Sequence, residues 1–132
     1  MNKTILISAN VLGLLGICLG AFAAHGLEAL VSEESIKSFE TGVKYQIYMA
    51  FFLLIIGGTS LVEPKWKKSI FYLALIGTLC FSGSIYGLAT NELSAFDFKK
   101  IALITPLGGL LMIGAWIVLL FGLIKGSRNL PK

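Results

Sequence analysis

Residues 4–24 read TILISANVLGLLGICLGAFAA, a run without a single charged side chain. A helix needs about 20 apolar residues to cross a hydrocarbon core of about 30 Å, and this run meets that length. Further apolar segments follow near 45–62, 69–90 and 101–124. The four segments take up most of the 132 residues. They predict an all-α integral membrane four-helix bundle, built as a single membrane domain over 1–132.

The composition of the chain agrees with a membrane location. Hydrophobic residues make up 56% of the sequence and charged residues 14%, whereas an ordinary soluble domain has about a quarter charged residues. Mean hydropathy is +0.86. We therefore expect membrane lipids to be the constant partners of this chain.

The first segment also has features of a cleaved signal peptide, since Lys3 precedes the apolar run and Ala21, Phe22 and Ala23 resemble a cleavage site. The run is longer than a signal core of about 7–15 residues, so we expect it to be retained as the first span. Lipid attachment at Cys18 is not expected, because the preceding Ile17 is large and branched. Cys18 and the second cysteine, Cys80, both lie in apolar spans, where a thiol behaves as a small hydrophobe.

Sequence motifs for common cofactors are missing. The chain has no CxxC, HExxH, GxxxxGK or GxGxxG pattern, so metal, protease, nucleotide and dinucleotide sites have no support. No cofactor and no metal is expected. Nucleic acid is not an expected partner either, because the net charge of +4 does not form a basic face on a soluble domain.

Lysine and arginine are divided unevenly between the two ends of the predicted spans. The end that holds both termini and the 63–68 loop has seven of them, and the other end has four together with most of the acidic residues. Positive residues near helix ends are retained on the cytoplasmic side. The sequence thus predicts a multi-pass protein of the plasma (inner) membrane with both termini in the cytoplasm. The seven residues are Lys3, Lys65, Lys67, Lys68, Lys125, Arg128 and Lys132.

The connection between the first two spans has an amphipathic pattern. Apolar residues recur at spacings of three and four, with acidic residues and a lysine between them. This pattern predicts a short interfacial helix within 27–43, with Ser32 as its N-cap, and the alternative is an irregular polar loop. Gly26 is expected to end the first span as a left-handed cap and Gly42 to mark a bend before the second.

Small residues are spaced for close helix packing. Gly16 and Gly20 form one GxxxG pattern and Gly83 and Gly87 another. Such residues let helices approach closely in lipid, where the hydrophobic drive between helices is weak. Tight packing is the default interpretation, and glycines that line a pore or a lipid cleft are the alternative.

Polar residues inside the spans collect at the end away from the termini. Because intramembrane polar groups are costly, they are a candidate cluster near the outer leaflet. Asn10, in the inner half of the first span, is the main exception. The candidate cluster comprises His25, Tyr45, Gln46, Tyr48, Ser82, Ser84, Tyr86 and Thr105.

His25 is the only histidine and the natural candidate for a base or a pH-sensitive contact. No nucleophile motif or metal partner lies beside it in the sequence, so we assign no catalytic residue. We favour a structural hydrogen bond that joins the first and second spans through Gln46 or a tyrosine.

Several blocks of sequence resemble one family of small membrane proteins, which is grouped as domain of unknown function 423. The blocks are GAFAAHG at 20–26, Phe39, VKYQIYMA at 43–50, FSGSIY at 81–86, ITPLGG at 104–109 and Trp116. The family includes bacterial YgdD-like and YwdK-like proteins and the eukaryotic transmembrane protein 256. The resemblance implies a four-span plasma-membrane protein and brings no established activity. Met49 departs from the pattern, which would have a second histidine there, and this argues against a paired-histidine metal or proton site.

Three classes of function remain open on these observations. The first is a non-enzymatic structural, assembly or interaction protein of the envelope, with a membrane-protein partner or a homo-oligomer. The second is an oligomeric transporter or channel subunit, which predicts a polar lumen. The third is a membrane enzyme or binding protein for a lipid or quinone at the outer leaflet, which predicts a lateral groove beside His25.

Overall fold

The computed structural model describes residues 1–126, which are almost entirely helical. Four long helices follow one another: α1 (Asn2–His25), α2 (Glu33–Gly58), α3 (Pro64–Ala89) and α4 (Ile104–Gly126). All four are long and apolar enough to cross a membrane. The predicted all-α fold with four spans is confirmed.

Local sequence signals account for where the helices begin. Ser32 is the N-cap of α2, and its hydroxyl oxygen accepts a hydrogen bond from the Ser35 amide at 3.2 Å. Glu33 and Glu34 then fill the first turn, where the helix dipole favours negative charge. Pro64 occupies the first turn of α3, where its missing amide hydrogen costs nothing.

The segment 27–43 differs from the sequence-based expectation. Residues Leu27–Ala29 form a single 3-10 turn, and α2 runs without interruption from Glu33 to Gly58. Gly42 therefore lies inside a continuous helix and marks no bend. Gly42 instead lets the Tyr86 ring approach α2 closely, because a Cβ atom on Gly42 would lie 2.8 Å from that ring.

The expected left-handed cap at Gly26 is also wrong. Gly26 has φ −101° and ψ −49°, a right-handed conformation, and its amide donates to the Phe22 carbonyl at 2.8 Å. The backbone keeps its right-handed turn because the chain passes directly into the 3-10 turn at Leu27–Ala29.

The helices pack mainly on their neighbours in sequence. α1 packs on α2, α2 on α3 and α3 on α4, so that α1 and α4 lie at the two ends. The main core runs through all four helices and includes Ile5, Leu53, Ile70 and Ala115. After α3, residues 90–103 form short turns, from which the Phe98 ring packs on Gly87.

The two predicted glycine patterns lie in different surroundings. Gly16 and Gly20 face α2, since Cβ atoms there would lie 2.8 Å from Ile47 and 3.4 Å from Val43. Gly87 is covered by Phe98, whereas a Cβ on Gly83 would meet nothing within 4 Å in the described chain. Gly83 therefore belongs to an open face of α3, since it is exposed between Ser82, which faces α2, and Ser84, which faces α4.

Candidate functional site

The central polar contact of the bundle is the side-chain amide of Gln46, which is 5% exposed. Its Nε2 donates to the Leu12 carbonyl on α1 at 2.8 Å. Its Oε1 accepts from the Tyr86 hydroxyl on α3 at 2.6 Å. One glutamine on α2 thus joins both neighbouring helices.

Two further contacts extend this network across the bundle. The Ser82 hydroxyl donates to the Gly42 carbonyl at 2.7 Å, which ties α3 to α2 a second time. The hydroxyls of Ser84 and Thr105 form a hydrogen bond between α3 and α4. Each adjacent pair of helices is therefore linked by at least one side-chain hydrogen bond, a common source of cohesion in lipid.

His25 does not take part in this network. It is the last residue of α1, and its side chain is exposed. The expected bond from His25 to Gln46 or a tyrosine is wrong. The His25 side chain makes no hydrogen bond within residues 1–126, and the Gln46 amide is bonded to Leu12 and Tyr86. Within residues 1–126 no group of three or more histidine, cysteine, aspartate or glutamate side chains is arranged to hold a metal ion.

Tyr45 and Tyr48 are separate from the network too. Their rings pack edge to face with centroids 5.7 Å apart, and Tyr45 also packs on Phe81 at 5.1 Å. They are 41% and 56% exposed and lie at the mouth of a groove. The eight predicted cluster residues thus divide into a buried network, an interhelical hydroxyl pair, an exposed histidine and a groove wall.

This groove combines residues of three helices. It has a volume of about 500 Å³, with α2 and α4 as its walls and Phe81 of α3 between them. The lining side chains are hydrocarbon, aromatic and thioether groups, and their polar atoms are the two tyrosine hydroxyls and the Trp116 indole nitrogen. We call it the α2–α4 groove, and it is lined by Tyr45, Tyr48, Met49, Phe81, Gly109, Met112, Ile113 and Trp116.

A second apolar depression continues this groove toward the end of the bundle that holds the termini. It has a volume of about 400 Å³ and shares Tyr48 and Trp116 with the α2–α4 groove. The Trp116 ring lies against Phe52, with centroids 4.5 Å apart. The two depressions adjoin at Tyr48 and Trp116, and we call them together the apolar track beside α2.

The sequence did not predict the groove. Phe81 and Gly109 stand in the family blocks, but nothing there indicated that they line a groove, and Met112 was not singled out. α4 is apolar on all sides, so its sequence does not indicate which face turns toward α2. Lys67 was assigned to a cytoplasmic loop, yet it is 5% exposed and donates to the Asn2 side chain and the Thr59 carbonyl. Arg128 and Lys132, also assigned to that side, lie outside the described residues.

Comparison with known proteins places this arrangement in a family. The family model described as "Protein of unknown function (DUF423)" matches residues 19–109. That range contains the Gln46 network except for Leu12 on α1, and it contains the part of the groove from Tyr45 to Gly109.

The chain belongs to the DUF423 family.

Relatives of this DUF423 protein resemble it along nearly their whole length. A UPF0382 membrane protein of Staphylococcus haemolyticus is 34% identical, with 93% of this chain and 97% of the relative covered. YwdK of Bacillus subtilis is 32% identical over 93% and 98% of the two chains. YgdD of Escherichia coli, a UPF0382 inner membrane protein, is 32% identical over 97% and 95%. No solved structure matches the chain.

These findings and the four apolar helices establish a multi-pass membrane protein. The names of the relatives state a membrane location and no activity. The groove and the network are therefore the features that bear on function.

Proposed function

We propose that this DUF423 protein is a non-enzymatic protein of the plasma membrane that holds the hydrocarbon chain of a membrane lipid in the α2–α4 groove. The observation that carries the proposal is the groove itself, with about 500 Å³ of apolar space between two spanning helices. Ligand sites in proteins have similar volumes and are lined mainly by apolar and aromatic groups.

The lining of the groove suits a flexible chain. Met49 and Met112 contribute thioether side chains that adapt to irregular shapes, and Trp116 and Phe81 contribute flat aromatic walls. Since lipid tails are as apolar as these side chains, the gain on binding comes from van der Waals contact in a matching shape. The fit of a chain along the track therefore supplies the preference over bulk lipid.

The hydrogen-bond network supports the proposal because it fixes the walls. α3 is bonded to α2 through Tyr86 and Ser82 and to α4 through Ser84. These bonds lie in the same half of the bundle as Tyr45 and Gly109. The groove is preformed when both walls are fastened to α3, so a chain enters without the cost of reshaping the bundle.

The proposed orientation has both termini in the cytoplasm. Lys3, Lys65, Lys68 and Lys125 lie at the end of the bundle that holds Asn2 and Gly126, and the positive-inside tendency favours that end as cytoplasmic. Tyr45 then marks the outer-leaflet end of the groove.

Tryptophan quenching tests the proposal, because the chain has two tryptophans and only Trp116 lines the groove. A Trp66→Phe variant reports from Trp116 alone. Reconstituted with rising fractions of a phospholipid brominated along its chains, it is expected to be quenched at a lower brominated fraction than a Trp116→Phe variant that retains Trp66.

Matched leucine substitutions separate groove binding from contact with bulk lipid. Gly109→Leu fills the groove without a backbone clash, since a Cβ there would lie 3.7 Å from the Phe81 ring. Gly83→Leu adds the same side chain on the open face of α3. In the Trp66→Phe background, Gly109→Leu should abolish the early quenching and Gly83→Leu should retain it. Quenching that follows the bulk brominated fraction in every variant would overturn the proposal.

A further inference from the structure

One face of α1 is exposed and has the pattern of a coiled-coil seam. Ile7, Asn10, Leu14, Ile17 and Ala21 are separated by three, four, three and four residues, and all are exposed in the single chain. Ile7, Leu14 and Ile17 are 55%, 65% and 68% exposed. This alternation places side chains on one stripe of the helix, as at the a and d positions of a heptad. The stripe lies beside the face that packs on α2 through Gly16.

Asn10 interrupts this apolar stripe at membrane depth. It lies eight residues after the start of α1, and eight residues of α-helix rise about 12 Å. Its Nδ2 donates to the Leu6 carbonyl at 2.8 Å, and within residues 1–126 its Oδ1 receives no hydrogen bond. A polar group that faces lipid without a partner is costly, so polar side chains within spans normally face protein.

We propose that this stripe is a dimer interface with a second copy of the chain, in which the two Asn10 side chains hydrogen-bond to each other across a two-fold axis. A carboxamide is self-complementary, since it has a spare N–H donor and a free oxygen acceptor. Two copies inserted in the same orientation bring Asn10 to the same depth, as an isologous interface requires. The spacing places Asn10 at a d position of this heptad. A lone polar residue in the seam that pairs with its own copy fixes the register, as a single asparagine at an a position does in parallel two-stranded coiled coils.

The surface next to the stripe has space for the partner's side chains. A shallow groove of about 310 Å³ lies between α1 and α2, lined by Asn10, Gly13, Leu14 and Ile17 on one side and by Phe51 and Leu54 on the other. Knobs from a second α1 would fill this groove. The interface does not depend on lipid binding in the α2–α4 groove.

Cysteine cross-linking in native membranes tests the interface. In a Cys18→Ser, Cys80→Ser background, Leu14→Cys places a thiol on the stripe, and Leu15→Cys places one at the next residue, which is also exposed but off the stripe. Oxidation with copper phenanthroline should link Leu14→Cys into a disulfide dimer of this chain and leave Leu15→Cys largely monomeric. Equal linking of both, or linking of Leu15→Cys alone, would overturn the proposed face.

The role of Asn10 is tested by energy transfer between donor- and acceptor-labelled copies in vesicles at varied protein-to-lipid ratio. Asn10→Leu should raise the dimer dissociation constant by about 3- to 30-fold, as expected for loss of an interhelical hydrogen bond in lipid. Val11→Leu, off the stripe, is the control and should leave it unchanged. An unchanged constant for Asn10→Leu would contradict the proposed asparagine pair, and dimerisation lost equally in both variants would contradict the stripe.

Discussion

Gln46 lies near the middle of α2, where its amide serves two neighbouring helices at once. Its donor and its acceptor are both used within the bundle, on Leu12 and Tyr86. An apolar residue at this position would leave the partly buried Tyr86 hydroxyl without this partner. This one amide therefore contributes to the cohesion of both the α1–α2 and the α2–α3 pair.

Replacing Gln46 by leucine is expected to lower the free energy of unfolding in detergent by about 0.6–2 kcal/mol, the range for interhelical hydrogen bonds in membranes and for buried groups left unpaired. His25→Ala is the matched comparison. Because His25 is exposed and outside the network, its loss should change the unfolding free energy by less than about 0.5 kcal/mol. Reversible unfolding in mixed micelles measures both.

A double-mutant cycle with Tyr86→Phe assigns the Gln46 effect to the bond. The two substitutions should be non-additive, because each removes the same hydrogen bond. If His25→Ala lowers the free energy of unfolding more than Gln46→Leu does, His25 and not Gln46 would be the main link between α1 and α2.

The sequence identified the type of interaction at Gln46 but not its partners. An amide in a span predicts a hydrogen bond between helices, and Gln46 makes such bonds to α1 and α3. The partner on α1 is a backbone carbonyl, which has no signature in the sequence. His25 was misjudged for a related reason: its position at the end of α1 is visible in the sequence, but the direction of its side chain depends on how the helix ends at Gly26.

The crossing of α3 and α4 brings two backbones into direct contact. A Cβ on Gly77 would lie 2.9 Å from the Met112 amide nitrogen and 3.0 Å from the Gly108 carbonyl oxygen. Because both neighbours are backbone atoms, they cannot rotate away as a side chain would. This contact fixes the distance between α3 and α4, and so the position of the α4 wall of the groove.

Gly77→Ala is therefore expected to destabilise the protein by about 1–3 kcal/mol, the usual range for overpacking a tight contact. Gly83→Ala makes the same change on the open face of α3 and should stabilise it by about 0.5–1 kcal/mol, since alanine is the better helix former. Thermal unfolding of the two variants beside the parent measures the difference. Equal melting temperatures would contradict the close approach of α3 and α4.

The number and approximate positions of the four helices were predictable from the apolar runs, whereas the way the helices pack was not. Ser32 and the two glutamates that follow it carry a clear start signal, and α2 begins there. Gly42 was assigned to a bend because glycine has more than one structural use, and only the Tyr86 ring beside it shows that the use here is close contact. The faces of α4 were not predictable, because all of them are apolar.

The serial packing of four helices creates both proposed surfaces. α2 and α4 flank α3 and leave the groove between them, while α1 at the end of the row keeps its outer stripe free. A closed bundle would have buried one of these surfaces. The order of packing therefore connects the fold to lipid binding and to dimerisation.

The orientation of the whole molecule leads to a prediction of its own. The test uses a reporter enzyme that is active only outside the cytoplasm. It should be inactive when fused after Gly126. It should be active when inserted after Ser94, in the connection before α4. The opposite pattern would place the Tyr45 end of the groove in the cytoplasmic leaflet. Matched cytoplasmic reporters at the same two positions provide the control.

The most direct measurement is an experimental structure of the protein crystallised from a lipid mesophase. The account predicts α2 and α4 held apart on α3, with continuous density for a hydrocarbon chain running from Tyr45 past Trp116. A structure in which α4 has closed onto α2, so that Gly109 contacts Tyr45 and no space remains between them, would contradict it.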